Sequence, residues 1–217
     1  MWKGKTKAFT LSFDDGCRQD IRLIKILNKY GIKGTFNLNS GLLGLNGTLD
    51  RNGHTVNFDK VSANEVNDIY KGHEIAVHTL THPDLSELND DEIIRQVEDD
   101  RKTLEAICGY KIVGMAYPGG LNNERVVNII AKNTLIKYSR TVVSTYNFDL
   151  QNNLFRFDPT VYYIEVDKLF ELAEKFITIK SSVPQLFYVW GHAFEMDAEY
   201  ISWERFEDFC IKMVSKF

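Results

Sequence analysis

Residues 7–37, KAFTLSFDDGCRQDIRLIKILNKYGIKGTFN, contain the pattern that indicates the fold class. Residues 7–13 are an apolar run typical of a buried strand. Residues 18–30 have the spacing of an amphipathic helix, which Gly31 ends. A second short apolar run, residues 34–37, follows the helix. The order strand, helix, strand predicts two parallel strands joined by a crossover helix.

The same alternation of strands and helices continues along the chain. Further strands are predicted at residues 74–78, 111–117, 135–142, 157–164 and 185–192. Further helices are predicted at residues 62–70, 89–109, 123–132, 166–179 and 202–213. About seven strand–helix units predict either a parallel β/α barrel or an open doubly wound sheet. We favour the barrel because polar candidate residues follow many of the strands, and we expect residues 1–217 to form a single domain.

Cap residues mark the ends of two of these helices. Ser62 followed by Glu65 has the spacing of a capping box, which begins a helix. Asn89 and Gly109 are typical of the first and last positions around the long helix between them. These local signals agree with the order that the alternation requires.

Two segments interrupt the alternation. Residues 42–58 include the pair Asn52-Gly53 between short polar and apolar stretches, which is the favoured signal of a two-residue hairpin turn. We interpret them as an inserted hairpin that follows a strand end, overhangs the cleft and sets substrate preference. Residues 147–153 are irregular and rich in Asn and Asp, and we interpret them as a functional loop.

The bulk composition excludes several classes of partner. The chain has 217 residues, a formal net charge of −4 and no basic run, so it lacks the positive surface that nucleic acid or an anionic membrane requires. The N-terminal residues have no signal-peptide pattern, and no segment is apolar for long enough to span a bilayer. We therefore expect a cytoplasmic protein, with export of a trimmed precursor as the alternative. The sequence leaves the oligomeric state open.

The candidate catalytic and ligand-binding residues lie where the predicted strands end. In parallel α/β folds, ligands gather at the carboxyl ends of the strands. The residues found at or near these ends are Asp14, Asp15, His78, Tyr117, Arg140 and His192. Each of them can bind a metal, move a proton or contact a substrate, so we expect them to meet at one end of the barrel.

The strongest chemical signal combines two carboxylates with two histidines. Asp14 and Asp15 are adjacent after a buried strand, where like charges repel unless a cation or a donor compensates them. Their side chains diverge, so one can bind a metal while the other faces a water molecule. His78 and His82 are four residues apart and converge if the segment turns helically. With one carboxylate they form an Asp-His-His set that leaves metal positions open for water.

Four motifs occur in the order FDDG, HTLTHP, YPGG and WGH, at residues 13–16, 78–83, 117–120 and 190–192. This series resembles the NodB-homology polysaccharide deacetylases, carbohydrate esterase family four. The resemblance implies a distorted seven-stranded parallel β/α barrel. It also implies that Asp14 is the catalytic base and that Asp15, His78 and His82 bind a divalent metal. The implied metal is Zn²⁺, with Co²⁺, Ni²⁺ and Mn²⁺ as alternatives.

The third motif departs from the family pattern. Where the family has Arg-x-Pro-Tyr-Gly, this chain has AYPGG at residues 116–120, so the arginine that orients the base is missing. Arg140, at the end of the next strand, either supplies that charge to Asp14 or is an ordinary surface arginine. The resemblance implies a substrate contact for Tyr117. It also implies an oxyanion role for the backbone N–H of Gly119, which needs no side chain.

The last motif contains the expected proton donor. By its match to the family, His192 protonates the departing amine, and imidazole suits this role because its pKa lies near neutrality. Trp190 resembles the apolar residues that receive the acetyl methyl group. Either Asp149 or Asp158 is expected to orient His192. Glu195 is interpreted as a solvated loop charge.

Together these motifs predict a metal-dependent hydrolase that removes acetyl groups from N-acetylated or O-acetylated carbohydrate. The metal polarises the acetyl carbonyl and binds water, Asp14 removes a proton, and His192 protonates the leaving nitrogen. The altered third motif keeps two alternatives open. One is hydrolysis of a non-sugar C–N bond, in a cyclic or ureido amide, at the same metal site. The other is a catalytically degenerate carbohydrate-binding domain.

Overall fold

The computed structural model describes residues 2–215, and strands and helices alternate through most of them. The strands are β1 (Lys7–Asp14), β2 (Gly34–Leu38), β3 (Thr48–Arg51), β4 (His54–Asn57), β5 (Glu74–Val77), β6 (Gly114–Ala116), β7 (Tyr138–Arg140), β8 (Val161–Tyr162) and β9 (Gln185–Gly191). The α-helices are α1 (Asp20–Lys29), α2 (Val66–Ile69), α3 (Asp90–Cys108), α4 (Glu124–Asn133), α5 (Val166–Thr178) and α6 (Trp203–Val214). Two strands, β3 and β4, pair only with each other, and the other strands form one sheet.

The main sheet has seven strands in the order β7-β6-β5-β2-β1-β9-β8, and every neighbouring pair is parallel. One segment, residues 157–162, connects the two edges of this sheet. Phe157 pairs with Arg140 in β7, and Val161 pairs with Val189 in β9. The sheet therefore curls into a distorted seven-stranded parallel β/α barrel, which confirms the predicted fold.

Three strands are shorter than the sequence predicts. The predicted strands 111–117, 135–142 and 157–164 contain β6, β7 and β8, which have three, three and two residues. The third is short because its chain pairs first with one edge of the sheet and then with the other. A strand that changes partner in this way cannot keep a continuous ladder with either neighbour.

The helices begin and end close to the residues that the sequence marks. The capping box of Ser62 and Glu65 is confirmed, although the chain turns there first as a 3₁₀ helix and α2 is short. Asn89 accepts a hydrogen bond from Glu92 N at 2.9 Å at the start of α3. Gly109 ends α3 at φ 74°, a conformation that strains most residues with a side chain. Within residues 2–215, no helix is both long enough and apolar enough to cross a membrane.

Side chains along β1 alternate between the surrounding helices and the barrel interior. Phe13 faces outward, where its ring contacts Phe206 of α6 with centroids 6.0 Å apart. Ser12 faces inward and accepts a hydrogen bond from Asn37 Nδ2 at 2.8 Å. The apolar core thus lies between sheet and helices, and the barrel interior holds buried polar groups. A cavity of about 360 Å³ occupies the amino end of this interior, lined in part by β1, β2, β7 and β9.

The segment interpreted as an inserted hairpin contains the antiparallel strands β3 and β4. Asn52 and Gly53 have φ of 52° and 79°, and positive φ at both positions is typical of a type I′ turn. Asn52 Nδ2 donates to Ala198 O at 2.9 Å, and Val56 belongs to the same apolar cluster as Phe194. The hairpin therefore rests on the chain that follows β9, at the carboxyl end of the barrel.

Within residues 147–153, Phe148 and Asp149 lie at the opposite end of the barrel. Leu186 N, near the start of β9, donates to Phe148 O at 2.8 Å. Asp149 pairs with Gln185, the first residue of β9. This part of the predicted functional loop therefore lies away from the site described below, which is at the carboxyl end of the same strand.

Candidate metal centre and active site

Three side chains at the carboxyl end of the barrel have the spacing of metal ligands. Asp15, His78 and His82 each offer one ligand atom, and these atoms lie within 4.8 Å of one another. Each histidine places its Nε2 3.8 Å from Asp15 Oδ1. His78 is buried, whereas the His82 side chain is 37% exposed, so the cluster is accessible from solvent on one side. The structure thus brings together the three residues for which the sequence predicts metal binding.

The two histidines converge through an irregular turn, and the predicted helical turn is wrong. Thr79 and His82 have φ of 66° and 59°, which are left-handed values. Non-glycine residues in this region cost about 1–3 kcal/mol each and persist only where the surroundings hold them. The rings of His78 and His82 then meet edge to face with centroids 4.8 Å apart.

Buried polar side chains hold this turn in place. Asn39 Nδ2 donates to the carbonyl oxygens of His78 and Thr79, the latter at 2.9 Å. Asp100, on α3, accepts a hydrogen bond from His78 N at 3.1 Å. Burial raises the pKa of Asp100 to about 7, although its hydrogen bonds oppose this. Both side chains therefore position a proposed ligand through its backbone.

These supporting residues were not predicted from the sequence. Gln96, one turn before Asp100 on α3, accepts a hydrogen bond from Thr81 N at 3.0 Å. Gln96 and Asp100 are 3% and 0% exposed and lie on the same side of the helix as Val97 and Leu104. Polar residues on an otherwise apolar helix face need hydrogen-bond partners, and this pattern was the signal in the sequence that pointed to Gln96 and Asp100.

The second ring nitrogen of His78 is already engaged. His78 Nδ1 lies 2.9 Å from Ala116 O, which leaves Nε2 facing Asp15. A backbone carbonyl at the remote nitrogen is a usual contact of metal-binding histidines. Burial lowers the pKa of His78 to about 4 even though Asp14 and Asp15 oppose the shift, so the ring is neutral at pH 7. Ala116, where the family pattern has arginine, thus contributes through its backbone.

Asp14 is held by Arg140 from the end of β7. Arg140 Nη2 donates to both carboxylate oxygens of Asp14, at 2.5 Å for Oδ1. The other guanidinium nitrogens donate to Ser12 Oγ at 3.2 Å and to Thr141 O at 2.9 Å. Asn37 Nδ2 also donates to Asp14 Oδ1, at 2.7 Å. Both buried charges are therefore paired and hydrogen-bonded, which is the condition for burying them.

The position of Arg140 resolves the alternative that the sequence left open. Arg140 is 1% exposed, so it is not an ordinary surface arginine. Its guanidinium also lies over the Trp190 ring, 4.7 Å from the centroid. Burial raises the pKa of Asp14, but Arg140, His78 and His192 together outweigh burial and bring it to about 2. Asp14 is therefore ionised at neutral pH.

His192 faces the same carboxylate and is oriented by Glu195. His192 Nε2 lies 3.9 Å from Asp14 Oδ2, and His192 Nδ1 lies 3.1 Å from Glu195 Oε1. The Tyr162 hydroxyl donates to Glu195 and lies 3.3 Å from His192 Nδ1. Burial lowers the pKa of His192, but the Glu195 carboxylate and the two aspartates outweigh burial and raise it to about 9. His192 is thus protonated at neutral pH.

Three expectations about the partners of His192 are wrong. Glu195 is 4% exposed and accepts a hydrogen bond from His192 N at 2.9 Å, so it is not a solvated charge. Asp158 accepts a hydrogen bond from Thr141 Oγ1 instead of orienting the imidazole. Asp149 lies at the amino end of β9. Glu195 stands three residues after His192, and this capping-box spacing was the signal that pointed to it.

The remaining predicted site residues share one cavity of about 310 Å³. Its wall consists of Asp14, Tyr117, Gly119, Val142, Tyr162, Trp190 and His192. Trp190 and Tyr162 stack, with centroids 4.0 Å apart and ring planes 17° apart. Tyr117 donates its hydroxyl to Phe155 O at 2.8 Å, so this hydroxyl already has a partner. Tyr162 and Val142 are wall residues that the sequence analysis missed, because neither stands in one of the motifs.

Comparison with known proteins agrees with this architecture. The family model described as Polysaccharide deacetylase matches residues 3–136. The uncharacterized protein YlxY of Bacillus subtilis (strain 168) is 30% identical over 125 residues, which are 58% of this chain and 34% of that protein.

Two solved structures illustrate the shared fold. The Streptococcus pyogenes deacetylase PplD, in complex with acetate, has a TM-score of 0.57 at 22% identity and covers 68% of this chain and 61% of its own. Wild-type BA3943 of Bacillus anthracis, a pseudoenzyme of carbohydrate esterase family four, has a TM-score of 0.60 at 19% identity. The matched region covers 98% of this chain and 62% of the BA3943 chain. This chain therefore spans less than two thirds of the length of these three relatives.

The family match and the structure point to the same group of proteins. The matched residues are more than half of the chain and include the first three motifs that carry the resemblance. The structural neighbours share the curled parallel barrel, and the BA3943 structure shares it across nearly the whole chain. The chain therefore belongs to the polysaccharide deacetylase family, the NodB-type carbohydrate esterase family four.

Proposed function

We propose that this protein is a metal-dependent hydrolase that removes acetyl groups from N-acetylated or O-acetylated carbohydrate. One observation carries the proposal. A buried ionised carboxylate, Asp14, lies next to a protonated imidazole, His192, and beside a cluster with the spacing of metal ligands. A base and an acid of opposite charge beside a metal site are the parts that amide or ester hydrolysis requires.

The donor set supports a divalent metal, and zinc in particular. Two histidines and one carboxylate, here His78, His82 and Asp15, are common ligands of catalytic zinc, which keeps a further position open. A metal held by these residues would supply a Lewis acid for the acetyl carbonyl and for water. Co²⁺, Ni²⁺ and Mn²⁺ are the alternatives, because nitrogen and oxygen donors accept them as well.

Asp14 and His192 divide the proton transfers between them. Asp14 accepts a proton from water as the new C–O bond forms, and Arg140 keeps its carboxylate ionised and oriented. His192 gives its proton to the amine nitrogen as the C–N bond breaks, so acetate and a free amine leave. His192 Nε2 and Asp14 Oδ2 are 3.9 Å apart, so the proton on Asp14 can return to His192 through one water molecule that bonds to both.

Other cavity residues bind and orient the acetyl group in this proposal. The backbone N–H of Gly119 donates to the carbonyl oxygen as negative charge develops on it. The stacked rings of Trp190 and Tyr162 offer an apolar surface to the acetyl methyl group. Ester deacetylation uses the same residues with a better leaving group.

The two alternatives make different demands on the same residues. Because a structural neighbour is a pseudoenzyme, the degenerate carbohydrate-binding alternative requires a direct test. A pure binding domain has no need of a paired base and acid, and this chain keeps Asp14 and His192 together. Hydrolysis of a non-sugar C–N bond uses the same machinery, so the choice of substrate distinguishes it.

The test is acetate release by zinc-loaded protein from chitooligosaccharides, acetylxylan and peptidoglycan fragments. We expect release by the wild type and a rate roughly 10²- to 10⁴-fold lower for Asp14→Asn. Asp208→Asn, an exposed change on α6, is the matched control and should keep the wild-type rate. Bound zinc without hydrolysis of any acetylated sugar would contradict the proposal, and cyclic or ureido amides would then be the next substrates.

A further inference from the structure

A second, larger cleft lies between the proposed metal ligands and the hairpin. Its volume is about 590 Å³, within the range of small-molecule sites. Gly119, Tyr162 and His192 belong to the walls of both this cleft and the acetyl-sized cavity, so the two are continuous. The hairpin and its flanks contribute Leu42, Leu49, Arg51, Phe58 and Lys60. A sugar whose acetyl group reaches Asp14 therefore extends into a space whose far wall is the hairpin.

Arg51 brings a positive charge to this wall. It is exposed, and one of its guanidinium nitrogens donates to the carbonyl oxygen of Asp50 at 2.9 Å. In the part of the chain that the structure describes, no carboxylate forms an ion pair with it. The neighbouring carboxylate of Asp50 accepts a hydrogen bond from Thr55 Oγ1 at 2.6 Å. The planar guanidinium is therefore able to form two parallel hydrogen bonds with a ligand carboxylate.

Lys60 brings a second positive charge, and this one is buried. Lys60 is 6% exposed, and its ammonium group lies 3.7 Å from the centroid of the Phe58 ring. The ammonium group also donates to Cys17 Sγ at 3.6 Å. Across residues 2–215, its one ion-pair partner is Asp15, at 4.0 Å. Because Asp15 is a proposed metal ligand, its charge is shared with the metal, and a buried ammonium then needs a further anion.

The acidic groups in the same wall already have other partners. The carboxylates that line the cleft are those of Asp15 and Glu195. Glu195 is engaged by His192 and Tyr162. On the loop beside the hairpin, Glu199 lies 3.7 Å from His54 Nε2. Arg51, and Lys60 when Asp15 binds a metal, are therefore the cations of the hairpin wall that are left to meet a ligand.

We propose that this cleft selects acetylated sugars that carry a carboxylate group on or beside the acetylated ring, with Arg51 and Lys60 as its specificity-determining residues. This inference rests on the proposed deacetylase function and narrows its substrate class. The apolar side chains of Leu49 and Phe58 cover the nonpolar face of a sugar ring, and the two cations meet its carboxylate.

The test compares two ligands that differ only in this charge. One is an N-acetylglucosamine disaccharide with a carboxyethyl ether on one ring, and the other is the same compound with its carboxyl group reduced to an alcohol. Binding to zinc-loaded Asp14→Asn protein is measured by calorimetry, so hydrolysis is not required for a result. We expect the carboxylate ligand to bind roughly tenfold more tightly at low salt, and the difference to shrink as salt screens the charges.

Variants on the same background assign the effect to the two cations. Arg51→Gln and Lys60→Met should each reduce the ratio of the two affinities. The matched control is Arg205→Gln on α6, because the Arg205 guanidinium lies over the Phe170 ring; this variant should leave the ratio unchanged. Equal affinity for the two ligands, or binding of neither, would overturn the inference. A strong preference for the carboxylate ligand, with no acetate release from it by the wild type, would instead contradict the proposed function and leave the cleft's selectivity established.

Discussion

Replacing Arg140 with methionine removes one partner of the buried pair on which Asp14 depends. Methionine keeps much of the volume of the side chain but cannot donate to a carboxylate. Asp14 then keeps the hydrogen bond from Asn37 and loses both contacts with Nη2. Ser12 Oγ and Thr141 O lose a donor as well. We expect a large loss of stability because an ionised carboxylate stays buried without its counter-charge.

The magnitude follows from the pKa of Asp14. Its pKa is lowered from 3.8 to about 2 in the folded protein, which corresponds to about 2 kcal/mol of stabilisation at neutral pH. A depressed carboxyl pKa stabilises the fold above pH 3.8, and this contribution disappears as the pH falls from 3.8 to 2. Without Arg140, burial would raise the same pKa. We therefore expect Arg140→Met to lower the free energy of unfolding by about 3–5 kcal/mol at pH 7.

The assay is urea unfolding of metal-free protein at pH 7 and at pH 3. Arg140→Met should lose less stability at pH 3, where Asp14 becomes protonated in the variant. The double variant Asp14→Asn/Arg140→Met should be more stable than Arg140→Met at pH 7, because it no longer buries an unpaired charge. Arg95→Met removes an exposed ion pair with Glu92 and should change the free energy of unfolding by less than about 1 kcal/mol.

Two results would contradict this role of the buried pair of Asp14 and Arg140. The first is a loss below about 1 kcal/mol for Arg140→Met at pH 7, since this is the value expected for an exposed pair. The second is additive behaviour of Asp14→Asn and Arg140→Met, because partners in one buried pair must be coupled. If Arg140→Met does not fold at pH 7, its unfolding at pH 3 and the stability of the double variant still decide the question.

Further predictions concern the proton donor and the turn that contains the histidines. Glu195→Gln removes the carboxylate that raises the pKa of His192 to about 9, so the alkaline limb of the kcat/KM profile should move to lower pH by roughly 1–3 units. An alkaline limb at the wild-type pH would exclude His192 as the titrating acid. Asp100→Ala removes the acceptor of Ser40 N and one of the two acceptors of His78 N, which keeps Leu38 O. Zinc affinity measured by calorimetry should therefore fall roughly tenfold, and wild-type affinity would show that Asp100 does not position the turn. Gly41→Ala would place a Cβ 2.5 Å from Leu80 O on the same turn, so it should lower the unfolding temperature and weaken zinc binding. Gly47→Ala is the control, because no atom lies within 4 Å of the added carbon, and equal behaviour of the two variants would contradict the close contact at Gly41.

The local features of this protein were determined by short stretches of sequence. The spacing of apolar residues sets the period of each strand and helix, and residues such as Ser62 and Gly109 have backbone preferences that act within a few positions. The Asn52-Gly53 pair determines its own turn in the same way. The alternation of strands and helices therefore predicted a parallel barrel or an open doubly wound sheet, and the polar residues at many strand ends favoured the barrel.

Which of these polar side chains are partners depends on the tertiary structure. Arg140 reaches Asp14, 126 positions away in sequence, because curling of the sheet brings the end of β7 across the barrel interior to β1. The carboxylate that orients His192 is Glu195 because the chain turns immediately after β9. Ion pairs of this kind depend on strand order, register and curvature, which act between distant segments and leave no periodic signal in the sequence.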